Sequence, residues 1–168
     1  MTRLFIAVWP PPLIIAVLSA LDRPVVEGVR WSTPEQWMVK VRPLGAVNHR
    51  LVPQLVAVLE AELDGAPAVH CVLGPAMRRL GGEWLGAPVD GLADLASVVF
   101  GATEGLVPVT HPQPFQADVV LARGRVPKEL AGRPVAGKWT ARSLSLVADR
   151  SSVKAPRFED LATIPLGS

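Results

Sequence analysis

Tyrosine is absent from the chain, cysteine occurs once and histidine three times. With no Tyr, one common general acid is off the list of candidates, and a single thiol excludes an internal disulfide framework and any zinc site of the CxxC type. His49, His70 and His111 are too dispersed for ligand spacing, so no metal is expected. Charge is equally scant. Seventeen Lys and Arg against fifteen Asp and Glu leave a net charge of +2, too little for nucleic-acid binding through bulk counterion release. Any preference for anions must come from local clustering. No uninterrupted apolar run approaches the roughly 18 residues of a membrane-spanning helix. The apolar stretch behind Met1-Thr2-Arg3, which could pass for a signal peptide, is broken by Pro10-Pro11-Pro12, and a cytoplasmic protein is expected. G-x-x-x-x-G-K-[ST], G-x-G-x-x-G after a strand, H-E-x-x-H and G-x-S-x-G are all missing, so no cofactor is expected.

What is present reads as one domain, residues 1–168, with 49% apolar residues and length enough for a sizeable core. Its 17 Pro and 14 Gly are scattered between periodic segments as turns and form no low-complexity block. Arg3 to Trp9 predicts a central strand and Leu13 to Leu21 a helix. Leu51, Leu55, Val58 and Leu59 at spacings of three and four predict a helix from Asn48 to Leu63, with Asn48 as its cap. His70 lies on a strand beside Cys71, which reads as a buried structural thiol. Met77 to Leu80 and Glu83 to Gly86 form a hairpin around Gly81-Gly82. Asp90 to about Gly101 is a second long helix, Val126 to Leu130 one helical turn, and Lys138 to Asp149 and Arg157 to Pro165 are strands.

Two further stretches carry the functional signal. Pro34-Glu35-Gln36-Trp37-Met38-Val39-Lys40-Val41-Arg42-Pro43-Leu44-Gly45 predicts a strand entered through a Pro-Glu turn and left at a Gly. Alternation puts Trp37, Val39 and Val41 on one face and Met38, Lys40 and Arg42 on the other. Pro114-Phe115-Gln116-Ala117-Asp118-Val119-Val120-Leu121-Ala122-Arg123 predicts a second strand, with Gln116, Asp118, Val120 and Ala122 opposite the face shared by Phe115 and Arg123. With the Arg3 strand, these stretches resemble the 2H phosphoesterase superfamily, in particular its LigT-like RNA 2′,3′-cyclic phosphodiesterase (2′-5′ RNA ligase) branch. That branch carries PEN-x-H-x-T-L-x-F-L-G and P-F-x-P-H-x-T-L-A-R strands, and the resemblance spans nearly the whole chain.

The resemblance implies an α+β, bilobal fold, two antiparallel sheets around a central groove with helices outside, each half of the chain contributing one motif strand. It also places Met38 and Lys40 at the first His and Thr positions, and Asp118 and Val120 at the second. All four catalytic positions are therefore replaced. Met cannot titrate and Val cannot donate a hydrogen bond, so hydrolysis of cyclic phosphodiesters is not expected. A small anionic or nucleotide-like ligand in the groove of a monomer is expected instead, held by Met38, Lys40, Arg42, Asp118, Val120 and Arg123, with Trp31 lining the cleft mouth or packing on the core edge. RNA is a weaker candidate partner. Arg142 and Arg150 add positive charge near the groove. Two alternatives stay open: Asp118 and Lys40 as an acid and base pair on a less polar, non-phosphate substrate, or phosphodiesterase activity through substitute groups, with His111 as the replacement acid or base. Of the roles open to these two residues, an ion pair between Lys40 and Asp118, facing each other and filling the space of the lost imidazoles, is the one expected.

Overall fold

A computed structural model describes residues 1–167. In chain order its strands are β1 (Thr2–Val8), β2 (Val29–Trp31), β3 (Val39–Val47), β4 (Val69–Leu73), β5 (Arg78–Leu80), β6 (Trp84–Asp90), β7 (Asp118–Gly124), β8 (Gly137–Ala141), β9 (Ser143–Asp149) and β10 (Phe158–Pro165). The α-helices are α1 (Pro12–Ser19), α2 (Val52–Glu62) and α3 (Ala93–Thr103). The strands form two antiparallel sheets. One has the order β10-β9-β1-β3; the other runs β2-β7-β6-β4-β8, with β5 paired to β6. This is the expected α+β arrangement, two sheets facing a groove with helices outside.

The first sheet is built around β1, whose residues from Leu4 to Val8 are all buried. Such a run suits a central strand covered on both faces. Leu4, Ile6 and Val8 join the main core, whereas Phe5 and Ala7 belong to a smaller cluster on the opposite face. Helix α3 packs on β3, α2 on β10 and on α3, burying Leu55, Leu59, Leu95 and Val99. Helix α1 opens on Pro12, a residue suited to the first turn because its missing N–H has no partner there anyway, and it lies against β8. A Cβ at Gly137 would stand 2.6 Å from Ile14 Cδ1, so the bare backbone of β8 lets the helix seat. Asn48 does cap, but its side chain accepts from the Arg50 N–H at the head of a 3-10 turn, His49–Leu51, and α2 starts only at Val52.

Two expectations give way. Pro34–Gln36 is a 3-10 turn closed by reciprocal Thr33 and Gln36 contacts, so Met38 precedes its strand, which runs from Val39 past Gly45 to Val47. Lys138 to Asp149 is two strands in different sheets, divided at Arg142. The sheets do not follow the halves of the sequence: β1 and β3 share a sheet with β9 and β10, and β2 joins β7. Among the described residues, no helix is long and apolar enough to cross a membrane.

Candidate functional site

The two motif strands, β3 and β7, approach each other across the groove, and each carries a β-bulge that decides where its cations point. In β3, Ile6 faces Arg42 and Ala7 faces Lys40, leaving Val41 as an extra residue. One inserted residue reverses the alternation beyond it. Lys40 therefore stays on the groove face with Phe5 and Ala7, while Arg42 turns with Ile6 toward the helices. There it is buried, donates to Thr103 Oγ1 at 2.6 Å and to the Val107 carbonyl, and lies 5.1 Å from the centroid of the Phe100 ring. Burial lowers its pKa, with Glu104 acting the other way. The expectation that Arg42 lines the groove is corrected: it ties the C-terminal end of α3, where carbonyls lack helical partners and a cation is favoured, to the first sheet.

In β7 the slip runs the opposite way. Leu85 faces Ala122 and Gly86 faces Val120, so Leu121 is the extra residue, and Arg123, paired with Trp84, comes round to the side of Asp118 and Val120. Its guanidinium lies 4.5 Å from the centroid of the Trp84 ring, in a cleft of about 690 Å³ that Glu27, Glu83 and Arg125 also line. Arg30 stands directly opposite Arg123 across the β2–β7 pair, a facing of like charges that disfavours the sheet when nothing neutralises it. Sequence reading missed Arg30. Trp31 pairs with Ala122 on the buried side and donates from Nε1 to the Pro24 carbonyl at 3.0 Å, so it packs on the core edge and does not line the cleft mouth.

Asp118 is held by Arg78, not by Lys40. Arg78 Nε donates to Oδ1 at 2.9 Å and its Nη2 to Oδ2 at 2.8 Å, a two-pronged pair whose planes match. The carboxylate raises the pKa of Arg78. Room for the pair comes from Gly86, opposite Arg78 on β6: a Cβ there would stand 2.9 Å from Leu80 Cδ1 and 3.1 Å from Asp118 Oδ1. Glycine inside a strand marks such close approach, and it was the one signal in the sequence that could have pointed to this pair.

Lys40 is left without a carboxylate within ion-pair distance among the described residues. Its Nζ sits 4.3 Å from the centroid of the Phe5 ring, and the Arg3 guanidinium lies 5.9 Å from the same centroid. The ring favours the ammonium by about 1 to 2 kcal/mol. Burial, followed by Arg123 and Arg3, nevertheless pulls the lysine pKa below its ordinary value, with Asp149 opposing. Met38, Phe5, Ala7 and Val147 form a buried cluster beside it, with Trp9 and Phe158 packed on the cluster. The groove floor in the first sheet is thus apolar, and Val120 lies half-buried on the β7 side.

The remaining candidates stand apart from this constellation. His49 and His111 are exposed, and exposed His70 contacts Thr140 Oγ1 at 3.2 Å across β4 and β8. Arg150 bonds Glu159, and Arg142 sits at the passage from β8 to β9. Cys71 is buried, and burial pushes its thiol up to about 11. Among the described residues, no three His, Cys, Asp or Glu side chains are grouped so that they could hold a metal. What the site offers chemically is a row of cations over an apolar floor, with the carboxylate of the second motif strand, Asp118, already engaged by Arg78.

No protein-family model and no curated protein matches the sequence. Solved structures do match in shape. TT0787 of Thermus thermophilus superposes with a TM-score of 0.82 at 21% identity, covering 98% of this chain and 97% of that one. LigT of E. coli, complexed with 3′-AMP, gives 0.84 at 19% identity over 99% of both chains, and a further structure described as a phosphoesterase gives 0.83 at 20%, again over 99% of both. LigT has also been crystallised with NADP+, ATP and phosphate. At such identities the shared property is the fold, and the chain has a LigT-like fold, two antiparallel sheets about a groove.

Proposed function

We propose that the groove binds a small anionic, nucleotide-like ligand and does not hydrolyse phosphodiesters. The observation that carries this reading is Lys40, seated in the groove without a carboxylate partner and close enough to Arg123 and Arg3 for both to act on its charge. Two arginines against the single carboxylate of Asp149 leave a net repulsion at Lys40 that a bound anion relieves, and the Arg30–Arg123 facing adds to the demand. Hydrolysis lacks its proton carriers. A general acid or base contributes typically about 10²- to 10⁴-fold, yet Met38 cannot titrate and both oxygens of Asp118 accept from Arg78. That engagement also speaks against Lys40 and Asp118 as an acid and base pair on a less polar substrate. The ligands in the LigT crystals make 3′-AMP and ATP suitable probes.

Isothermal titration with 3′-AMP and ATP at rising salt, run beside a turnover assay on 2′,3′-cyclic nucleotides, tests the proposal. Binding should weaken with salt, as expected for partly exposed cations, and be lost in Arg123→Ala, with no turnover in either protein. Turnover that disappears in Asp118→Ala, or binding of neither nucleotide, would overturn it.

A further inference from the structure

We propose that Lys40 is a nucleophilic amine that forms a reversible imine with a small aldehyde or ketone bearing a phosphate or carboxylate group. The inference goes beyond anion binding and rests on that reading only for the seat of the anionic group. Geometry sets this lysine apart from the three others. Lys128, Lys138 and Lys154 are exposed; Lys40 is half-buried, with Nζ against the face of Phe5 and the Met38 cluster alongside. The carboxylate that could have neutralised it from across the groove, Asp118, is taken by Arg78. The charged groups facing it are Arg3 from β1, Arg123 from β7 and Asp149 from β9. Two cations against one anion, added to burial, ease loss of the ammonium proton against the opposing pull of the Phe5 ring, and a lysine desolvated beside other cations is a recognised form of activated nucleophile.

The same two arginines supply what a carbonyl compound with an anionic group would need. Arg123 or Arg3 holds the anion as the carbonyl carbon meets Nζ. The amine lone pair forms the C–N bond, the carbonyl π pair moves to oxygen, and one N–H proton follows it to give the carbinolamine. Loss of that hydroxyl with the second N–H proton, as water, leaves the C=N bond. No oxidant, reductant or further reactant is required. The apolar floor of Phe5, Met38 and Phe158 keeps water scarce next to the product and slows its return.

Pyridoxal 5′-phosphate is the probe, because it carries an aldehyde and a phosphate and its imines are fixed by borohydride. The full chain is exposed to it near neutral pH and reduced, and each lysine peptide is quantified by mass spectrometry. Lys40 should be labelled several-fold faster than Lys128, Lys138 or Lys154, which serve as controls in the same folded molecule, and Arg123→Met should slow labelling at Lys40 alone. Labelling of Lys40 no faster than the three surface lysines overturns the proposal. Pyridoxine 5′-phosphate, which has the phosphate but no carbonyl, separates the two readings. Failure of this compound to protect Lys40 while labelling stays selective defeats the shared anion seat and leaves the amine standing; its binding without selective labelling does the reverse.

Discussion

Lys40 opposes folding in the charged state, and the sign of that opposition can be measured. Its folded pKa lies below the ordinary value of 10.5, so between the two values the unfolded chain holds more protons, and stability rises with pH through that window. Cys71 works in the other direction: with its thiol pushed from 9.0 up to about 11, the folded chain holds the extra proton, and stability falls as pH climbs past the lower value. Comparing Lys40→Met with the parent cancels the thiol. The variant should have the higher urea midpoint near pH 7, by a margin that shrinks as the pH approaches 10.5; a constant margin would mean that Lys40 titrates as it does in water. Arg42 should respond differently. Its guanidinium bonds the buried Thr103 hydroxyl and the part-buried Val107 carbonyl, and charged hydrogen bonds contribute about 1.5–3 kcal/mol each, so Arg42→Met should lose about 2–3 kcal/mol in denaturant unfolding and leave nucleotide affinity unchanged.

At the scale of strands, the two bulges explain why Arg42 and Arg123 exchanged the positions that alternation assigns them. A period of two holds only while pairing stays in register, and neither Val41 nor Leu121, both ordinary apolar strand residues, announces an insertion. The strand from Lys138 to Asp149 misled because alternation resumes beyond Arg142, but two polar residues in succession, Arg142 and Ser143, reverse its phase just where the chain changes sheets. The legible elements were those with strong local signals, among them β1 with its unbroken apolar run, α2 with its three- and four-residue spacing and the hairpin at Gly81-Gly82. The Asp118–Arg78 pair left no trace in the sequence but Gly86, because its members lie 40 residues apart on strands that never pair directly, each bordering β6. Gly86 couples the three strands. Gly86→Ala should force Leu80 and Asp118 aside, at the roughly 1–3 kcal/mol of an overpacked site. It should also loosen Arg78 into the groove, so that 3′-AMP binds more tightly even as the fold weakens. An unchanged affinity would show that Arg78 holds its place without the carboxylate.

Over the whole molecule, strand order makes the lobes inseparable. The chain passes from the first sheet to the second at β1 to β2, returns at β3, leaves again for β4 and comes back for good at β9. Neither sheet is therefore a continuous piece of chain, and neither can keep its core when the other melts. Urea unfolding followed by tryptophan fluorescence and by far-ultraviolet circular dichroism should give coincident single transitions, the behaviour of one cooperative unit; two separated transitions would show lobes that fold alone. The backbone passage at Arg142 reinforces the union, because its carbonyl accepts from the Leu166 N–H just beyond β10.

One mechanical consequence lies in the central position of β9. Strands β1 and β10 both run antiparallel to it, hence parallel to each other, so Thr2 and Pro165 emerge at opposite ends of the first sheet. Tension applied between those residues pulls β1 and β10 lengthwise past β9, and the hydrogen bonds, perpendicular to the strands, bear the load together instead of opening one at a time. The sheet that carries Phe5 and Lys40 is then the part of the molecule that resists stretching, and the groove floor should keep its shape at forces that would unzip a hairpin.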